Sequence, residues 1–184
     1  MTKKLFIISG LSGAGKDSVI EGLKKSGAEF NWVVTTTTRP MRQGETEGNP
    51  YHFISKEDFE EKIKNGGFLE WAKVYDNYYG TQKKDVEFLL ESGKPTILKI
   101  DCQGAKIVKD KIKEVKVIFI VPPSMEILEQ RLRGRGTDSE DAIQKRLSVA
   151  REEMETIKEW DFVVVNEEGK LDETVEKTKK IIFS

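Results

Sequence analysis

The sequence predicts an α/β fold, a mostly parallel sheet with helices on both faces, and three observations carry that prediction. Short apolar runs rich in β-branched residues alternate with charged stretches of helical period. A glycine-rich turn follows the first of these runs and opens a helix. Two longer segments interrupt the alternation and read as excursions from one core.

Taken in order, the apolar runs at residues 5–8, 32–34, 96–100, 117–121 and 162–165 each read as a strand. Residues 16–25, 82–92, 103–113, 124–133, 140–158 and 171–182 are charged and amphipathic, and each reads as a helix. The first excursion, residues 37–81, is rich in glycine and aromatics and holds a short strand at 51–54. The second, residues 134–145, is polar with little apolar content. In open α/β sheets ligands bind beyond the carboxyl ends of the strands, where such excursions would hang.

A chain of 184 residues suits a single domain, and 37% hydrophobic with 34% charged residues suits a soluble globular protein. No apolar run approaches the roughly 20 residues that span a bilayer. The basic start, Met1 to Lys4, is followed by an apolar stretch too short for a signal-peptide core, so no membrane association or export is expected. Cys102 is the only cysteine, which excludes an internal disulfide and a Cys-rich zinc site and fits a reducing cytoplasm. The formal net charge of −1 gives no general attraction to nucleic acid.

Arginine is distributed unevenly. All seven arginines fall in two segments, Arg39 and Arg42 in one and Arg131, Arg133, Arg135, Arg146 and Arg151 in the other. The planar guanidinium fork grips phosphate, so two clusters fit two places where phosphates are held; chance together with helix-surface ion pairs is the alternative.

After the first strand comes Gly10-Leu11-Ser12-Gly13-Ala14-Gly15-Lys16-Asp17-Ser18, and then a helix begins. This is close to a P-loop. Its glycines let successive backbone N–H groups turn toward phosphate oxygens, its lysine reaches the β- and γ-phosphates, and the helix N-terminus favours anions. The fold is therefore expected to be of the P-loop NTPase type, with Ser12, Gly13, Ala14, Gly15, Lys16, Asp17 and Ser18 at the phosphates of a bound nucleotide. One position departs from the pattern: Asp17 stands where the motif has the Ser or Thr that binds Mg²⁺. Asp17 reads as a first-turn acidic residue favoured by the helix dipole by about 0.3–1 kcal/mol, with metal ligation the alternative. Ser18 is then the candidate hydroxyl near Mg²⁺, the expected cofactor.

The first excursion carries Thr35-Thr36-Thr37-Thr38-Arg39-Pro40-Met41-Arg42-Gln43-Gly44-Glu45, Gly48, Tyr51-His52-Phe53, Phe68-Leu69-Glu70-Trp71-Ala72 and Asn77-Tyr78-Tyr79-Gly80-Thr81. These resemble, in order and spacing, the GMP-binding region of guanylate kinases. The resemblance continues through Ile100-Asp101-Cys102-Gln103-Gly104, Ile120-Val121-Pro122-Pro123-Ser124, Arg131-Leu132-Arg133-Gly134-Arg135-Gly136-Thr137, Lys145-Arg146-Leu147 and Val165-Asn166, so it spans essentially the whole chain. It implies one domain over 1–184, with a core of 1–34, 82–133 and 147–184, a GMP-binding region of 35–81 and a short lid of 134–146.

The resemblance further implies that Arg39, Arg42, Tyr51 and Tyr79 hold the GMP phosphate, while Thr35, Glu70, Thr81 and Asp101 surround the guanine and neighbouring groups. It makes Lys16, Arg39, Arg131, Arg135 and Arg146 the catalytic cations, with Asn166 a contact to the adenine of ATP. The implied reaction moves the γ-phosphoryl of ATP to GMP, and also dGMP, giving ADP and GDP. Family members commonly carry a second aspartate two residues before the one matching Asp101, and here that position is Lys99. Residues two apart on a strand share a face, so Lys99 is expected to pair with Asp101.

His52, Trp32, Trp71 and Trp160 read as structural residues, and Arg133 and Arg151 as helix-surface residues. Tyr51 alternatively reads as ordinary strand packing. Two competing functions are a kinase for another nucleotide or small phosphorylated acceptor, and a guanylate-kinase-like module that binds phosphorylated peptides. The second type characteristically lacks a working phosphate loop, whereas Lys16 and its glycines are present here.

Overall fold

Leu5–Gly10 forms β1, and all six of its residues are buried, as a strand covered on both sides must be. The computed structural model describes residues 4–74, 76–134, 136 and 138–184. After β1 the chain forms α1 (Lys16–Lys25) and β2 (Asn31–Trp32) before it leaves the core. On its return it adds α3 (Lys83–Glu91), β7 (Thr96–Lys99), α4 (Cys102–Lys111), β8 (Lys116–Val121), α5 (Met125–Gly134), α6 (Glu140–Glu155), β9 (Phe162–Val165) and α7 (Leu171–Phe183). Five strands make one parallel sheet in the order β2-β7-β1-β8-β9.

That order places the strands of lower and higher chain position on opposite sides of β1, apart from β7, which returns to the β2 side. Such a reversal leaves a crevice at the carboxyl ends of the strands. Ile7, Ile8, Ile118, Phe119 and Ile120 are fully buried beneath it, and the Phe119 ring stacks on Trp160 at 5.3 Å. Helices α1 and α7 pack closely. A Cβ at Gly22 would lie 2.4 Å from a Val175 methyl, so a glycine is what allows the approach.

The excursion builds a sheet of its own from β3 (Thr35–Thr37), β4 (Tyr51–Phe53), β5 (Phe68–Val74) and β6 (Asn77–Gln82), in the order β4-β3-β6-β5. β3 runs parallel to β4 and antiparallel to β6, which pairs antiparallel with β5. Helix α2 (Lys56–Lys64) lies beside it, capped by the Ser55 side chain, which accepts from the Asp58 N–H at 3.0 Å. Phe59 is the hub of a separate small core, stacked at 4.1 Å on Phe68 and 5.2 Å on Tyr78.

The structure corrects the sequence reading in three places. The strand expected over 32–34 ends at Trp32, because the chain turns at Val33 to enter β3 in the second sheet. The helix expected over 140–158 stops at Glu155 and is followed by a 3₁₀ turn at Ile157–Glu159. Within the excursion, α2, β5 and β6 accompany the single strand expected there. β5 and β6 bury only part of each face, so their apolar residues do not alternate cleanly.

Candidate active site

The phosphate loop is shaped by close backbone approaches. Gly10 ends β1 with φ 135°, and a Cβ there would fall 2.0 Å from the Ile120 carbonyl oxygen of β8. Gly15, with φ 93°, precedes α1 and would meet the Asn166 amide nitrogen at 2.3 Å. Neither position accepts a side chain without moving its neighbours. Lys16 Nζ donates to the carbonyls of Gly10 at 2.6 Å and Leu11 at 2.9 Å, which holds the ammonium over the loop. Burial lowers its pKa, while neighbouring carboxylates partly oppose that shift.

Two predicted nucleotide residues brace the loop. Asn166 Nδ2 donates to the Ala14 carbonyl at 2.8 Å, and Arg131 Nη1 donates to the same oxygen at 3.4 Å. Arg131 Nη2 also donates to the Asn166 carbonyl at 2.9 Å. Gly13, Gly15, Ser18, Arg131 and Asn166 line one shallow depression together, so four of the residues predicted for ATP and one predicted catalytic arginine come together on that side of the loop.

On the other side lies a cavity of about 700 Å³, within the range of small-molecule sites. Ser12, Lys16 and Asp17 line it from the loop, Thr35, Tyr51, Glu70 and Tyr79 from the second sheet, and Asp101 from the start of α4. Glu70 is only 7% exposed. The Thr81 hydroxyl donates to its Oε1 at 2.5 Å, so Thr81 acts on the cavity through Glu70. Burial raises the Glu70 pKa, and the Asp101 charge adds to that shift. Asp101 caps α4, accepting from the Gly104 N–H at 2.8 Å. Tyr51 and Tyr79 meet edge to face at 5.8 Å.

Arg39 and Arg42 do not line this cavity. The Arg39 guanidinium lies over the Tyr51 and Phe53 rings at 5.7 and 5.6 Å and donates to Glu45 Oε1 at 2.8 Å. The backbone N–H of Arg42 donates to the other Glu45 oxygen at 2.8 Å, so one carboxylate holds the Arg39 side chain and the Arg42 main chain.

From α6, Arg146 donates to Ser12 Oγ at 3.2 Å and approaches Asp138 at 3.5 Å, joining that helix to the phosphate loop. Arg135 lies outside the described residues. Arg133 faces outward and pairs with Glu129 and Glu140, as expected of a surface residue. Sequence reasoning missed Glu153, which lines the same cavity as Lys16 and whose pKa burial raises. A signal was present: Ala142, Arg146, Val149 and Glu153 recur at helical spacing, and all four line the cavity.

Lys99 does not pair with Asp101. Its Nζ lies 2.7 Å from Asp17 Oδ1, because the carboxyl end of β7 sits beside β1 and the first turn of α1. Among the described residues, no group of three or more His, Cys, Asp or Glu could hold a metal. Mg²⁺ at phosphoryl-transfer sites needs only one or two protein oxygens besides substrate phosphates and water. The Ser18 hydroxyl, in the first turn of α1, is a donor of that kind, while the Asp17 carboxylate is engaged by Lys99, so Ser18 is the residue present that fits the ion.

Residues 2–184 match the family model described as guanylate kinase. The chain belongs to the guanylate kinase family. It is 47% identical over 180 residues to a guanylate kinase of Rickettsia felis, covering 98% of this chain and 93% of that one. A guanylate kinase of Caldanaerobacter subterraneus is 45% identical over 180 residues, covering 98% of this chain and 86% of that one. The crystal structure of guanylate kinase from Anaplasma phagocytophilum superposes with a TM-score of 0.73 at 32% identity, covering 98% of this chain and 84% of that one. Guanylate kinase membership makes this chain a nucleoside monophosphate kinase with a P-loop NTPase fold, an ATP:GMP phosphotransferase.

Proposed function

We propose that the guanylate kinase reaction takes place where the phosphate loop faces the second sheet, with ATP on the loop and GMP between Glu70 and the tyrosines. The observation that carries this reading is that Lys16 and the buried Glu70 open on one cavity. Guanine presents N1–H and its N2 amino group side by side, two donors that a single carboxylate accepts together. Adenine has an acceptor at N1 and no N2 amino group, so AMP would leave a buried carboxylate unmatched.

Tyr51 and Tyr79, with Arg39 over Tyr51 and with Arg42 from the same segment as Arg39, hold the acceptor phosphate, whose charge must be offset before a second phosphate approaches. The acceptor oxygen is already anionic, so no general base is needed, and transfer proceeds by in-line attack on the γ-phosphorus without a covalent enzyme intermediate. Lys16, Arg131 and Arg146 stabilise the charge on the transferring group. Mg²⁺ bound with ATP supplies further charge neutralisation at the phosphate oxygens. Arg146 closes the site from α6 and keeps water from competing with GMP.

The product, GDP, places the enzyme in purine nucleotide metabolism, and dGMP is a second acceptor because only the ribose 2′-hydroxyl differs. No helix among the described residues is long and apolar enough to cross a membrane, and a single buried cysteine fits work in the reducing cytoplasm. A coupled assay of ADP release across GMP, dGMP, AMP, CMP and UMP tests the reading. GMP and dGMP are expected to support turnover at least about a hundredfold above the others. Equal rates with AMP would remove Glu70 as the base reader.

A further inference from the structure

The Asp17–Lys99 pair carries an inference beyond the family reaction. A P-loop places a hydroxyl after its lysine, and this chain places a carboxylate there. A second negative charge at that point faces the phosphates that the loop gathers, and a like charge within about 4–6 Å disfavours an anion. Lys99 is 82 residues further along the chain, so no local rule couples the two positions. The sheet nonetheless sets Lys99 opposite Ile8 of β1, at the carboxyl end where the loop begins, and its ammonium reaches Asp17 Oδ1 at 2.7 Å. Both residues line the cavity that holds Lys16.

We propose that Asp17 and Lys99 work as one charge-compensated unit, in which Lys99 is a positioning residue that cancels and orients the Asp17 carboxylate so that the loop can accept ATP. The inference rests on ATP binding at this loop. The pair is exposed on the Asp17 side, with a side-chain exposure of 82% against 35% for Lys99, so it contributes little to folding. Its effect falls on the ligand, because a triphosphate brings up to four negative charges to the same place. Removing Lys99 takes away the ammonium 2.7 Å from Asp17 Oδ1 and leaves more of the carboxylate's charge turned toward them. Removing Asp17 as well, by restoring the hydroxyl, takes away the need for Lys99.

A double-mutant cycle on the whole chain tests this, using Lys99→Ala, Asp17→Ser, the double variant and Lys99→Arg, with ATP affinity measured by calorimetry with and without Mg²⁺. Lys99→Ala is expected to weaken ATP binding about tenfold without metal and by less with Mg²⁺, since the ion offsets part of the ligand charge. The double variant returns to within about threefold of the parent, and Lys99→Arg stays there too. Melting temperatures of all four variants, within about 3 °C of the parent, separate this from a folding defect.

Additive losses in the double variant would overturn the pairing and make Lys99 a direct phosphate ligand. An unchanged affinity in Lys99→Ala would overturn it as an incidental surface pair. A parent that binds no ATP at all would instead overturn the placement of ATP on the loop, a separate failure.

Discussion

The phosphate loop and the acceptor face of the second sheet hold the same kind of ligand by opposite means. The loop is made of backbone: Gly10 packs against the Ile120 carbonyl, and the Ala14 carbonyl is braced by Asn166 and Arg131. The acceptor face is made of side chains, with Glu70, Tyr51 and Tyr79 arriving from three different strands. A backbone site grips phosphate without reading what it is attached to, because every nucleotide carries the same phosphate. A side-chain site reads the base through a single donor and acceptor pattern. The division predicts that damage to the loop abolishes transfer, whereas damage to the acceptor face alters which substrate is used.

The largest expected effect is that of Lys16→Ala, a loss of at least about a hundredfold in turnover with GMP binding largely intact. Calorimetry with GMP alone, beside a turnover assay, checks both halves. Retention of more than about a tenth of parental turnover would contradict the assignment of the loop as the catalytic phosphate grip.

Glu70→Gln probes the other region. It keeps size and the acceptor for the Thr81 hydroxyl but replaces one oxygen by a donor nitrogen, which faces the guanine donors. kcat/KM for GMP is expected to fall at least about tenfold, and the GMP-to-AMP ratio with it. Full preference for GMP at unchanged kcat/KM would move the base reader elsewhere and break the contrast between the two regions.

A third expectation follows from the burial of Glu70. Its folded pKa is raised above the unfolded value of 4.5, chiefly by desolvation, so the folded protein binds that proton more tightly than the unfolded chain. The cost of ionising it is absent below 4.5 and grows as pH rises toward the folded pKa. Glu70→Gln removes this cost, so without ligand the variant is expected to melt above the parent at neutral pH. The advantage should close as pH falls from the raised folded pKa to 4.5, and thermal melts across that range decide it. A difference independent of pH would show that Glu70 holds its proton equally tightly in the folded and unfolded chain.

The smallest effect belongs to Arg133→Ala. Arg133 pairs with Glu129 and Glu140 away from both regions, and exposed pairs contribute little. Turnover is expected to stay within about twofold of the parent. A larger loss measured in the same coupled assay would place Arg133 among the residues that reach the transferring phosphoryl group.

By itself the sequence determined the parallel sheet, the loop and its position. β1 and β8 are short, almost wholly apolar runs because they are buried on both faces, and the glycines and Lys16 lie together in the chain, so contiguous pattern was enough. Glu70, Thr81 and the tyrosines were legible only through resemblance, since no local period connects residues on separate strands. Tertiary structure decided which groups meet. It joined Lys99 to Asp17 rather than to the nearby Asp101 that strand alternation favoured, because the first turn of α1 comes within reach of the end of β7. It also set Asn166 and Arg131 on the Ala14 carbonyl and brought Glu153 to the same cavity as Lys16. These contacts arise where the carboxyl ends of several strands converge, and a convergence of distant segments leaves no periodic trace in any one of them.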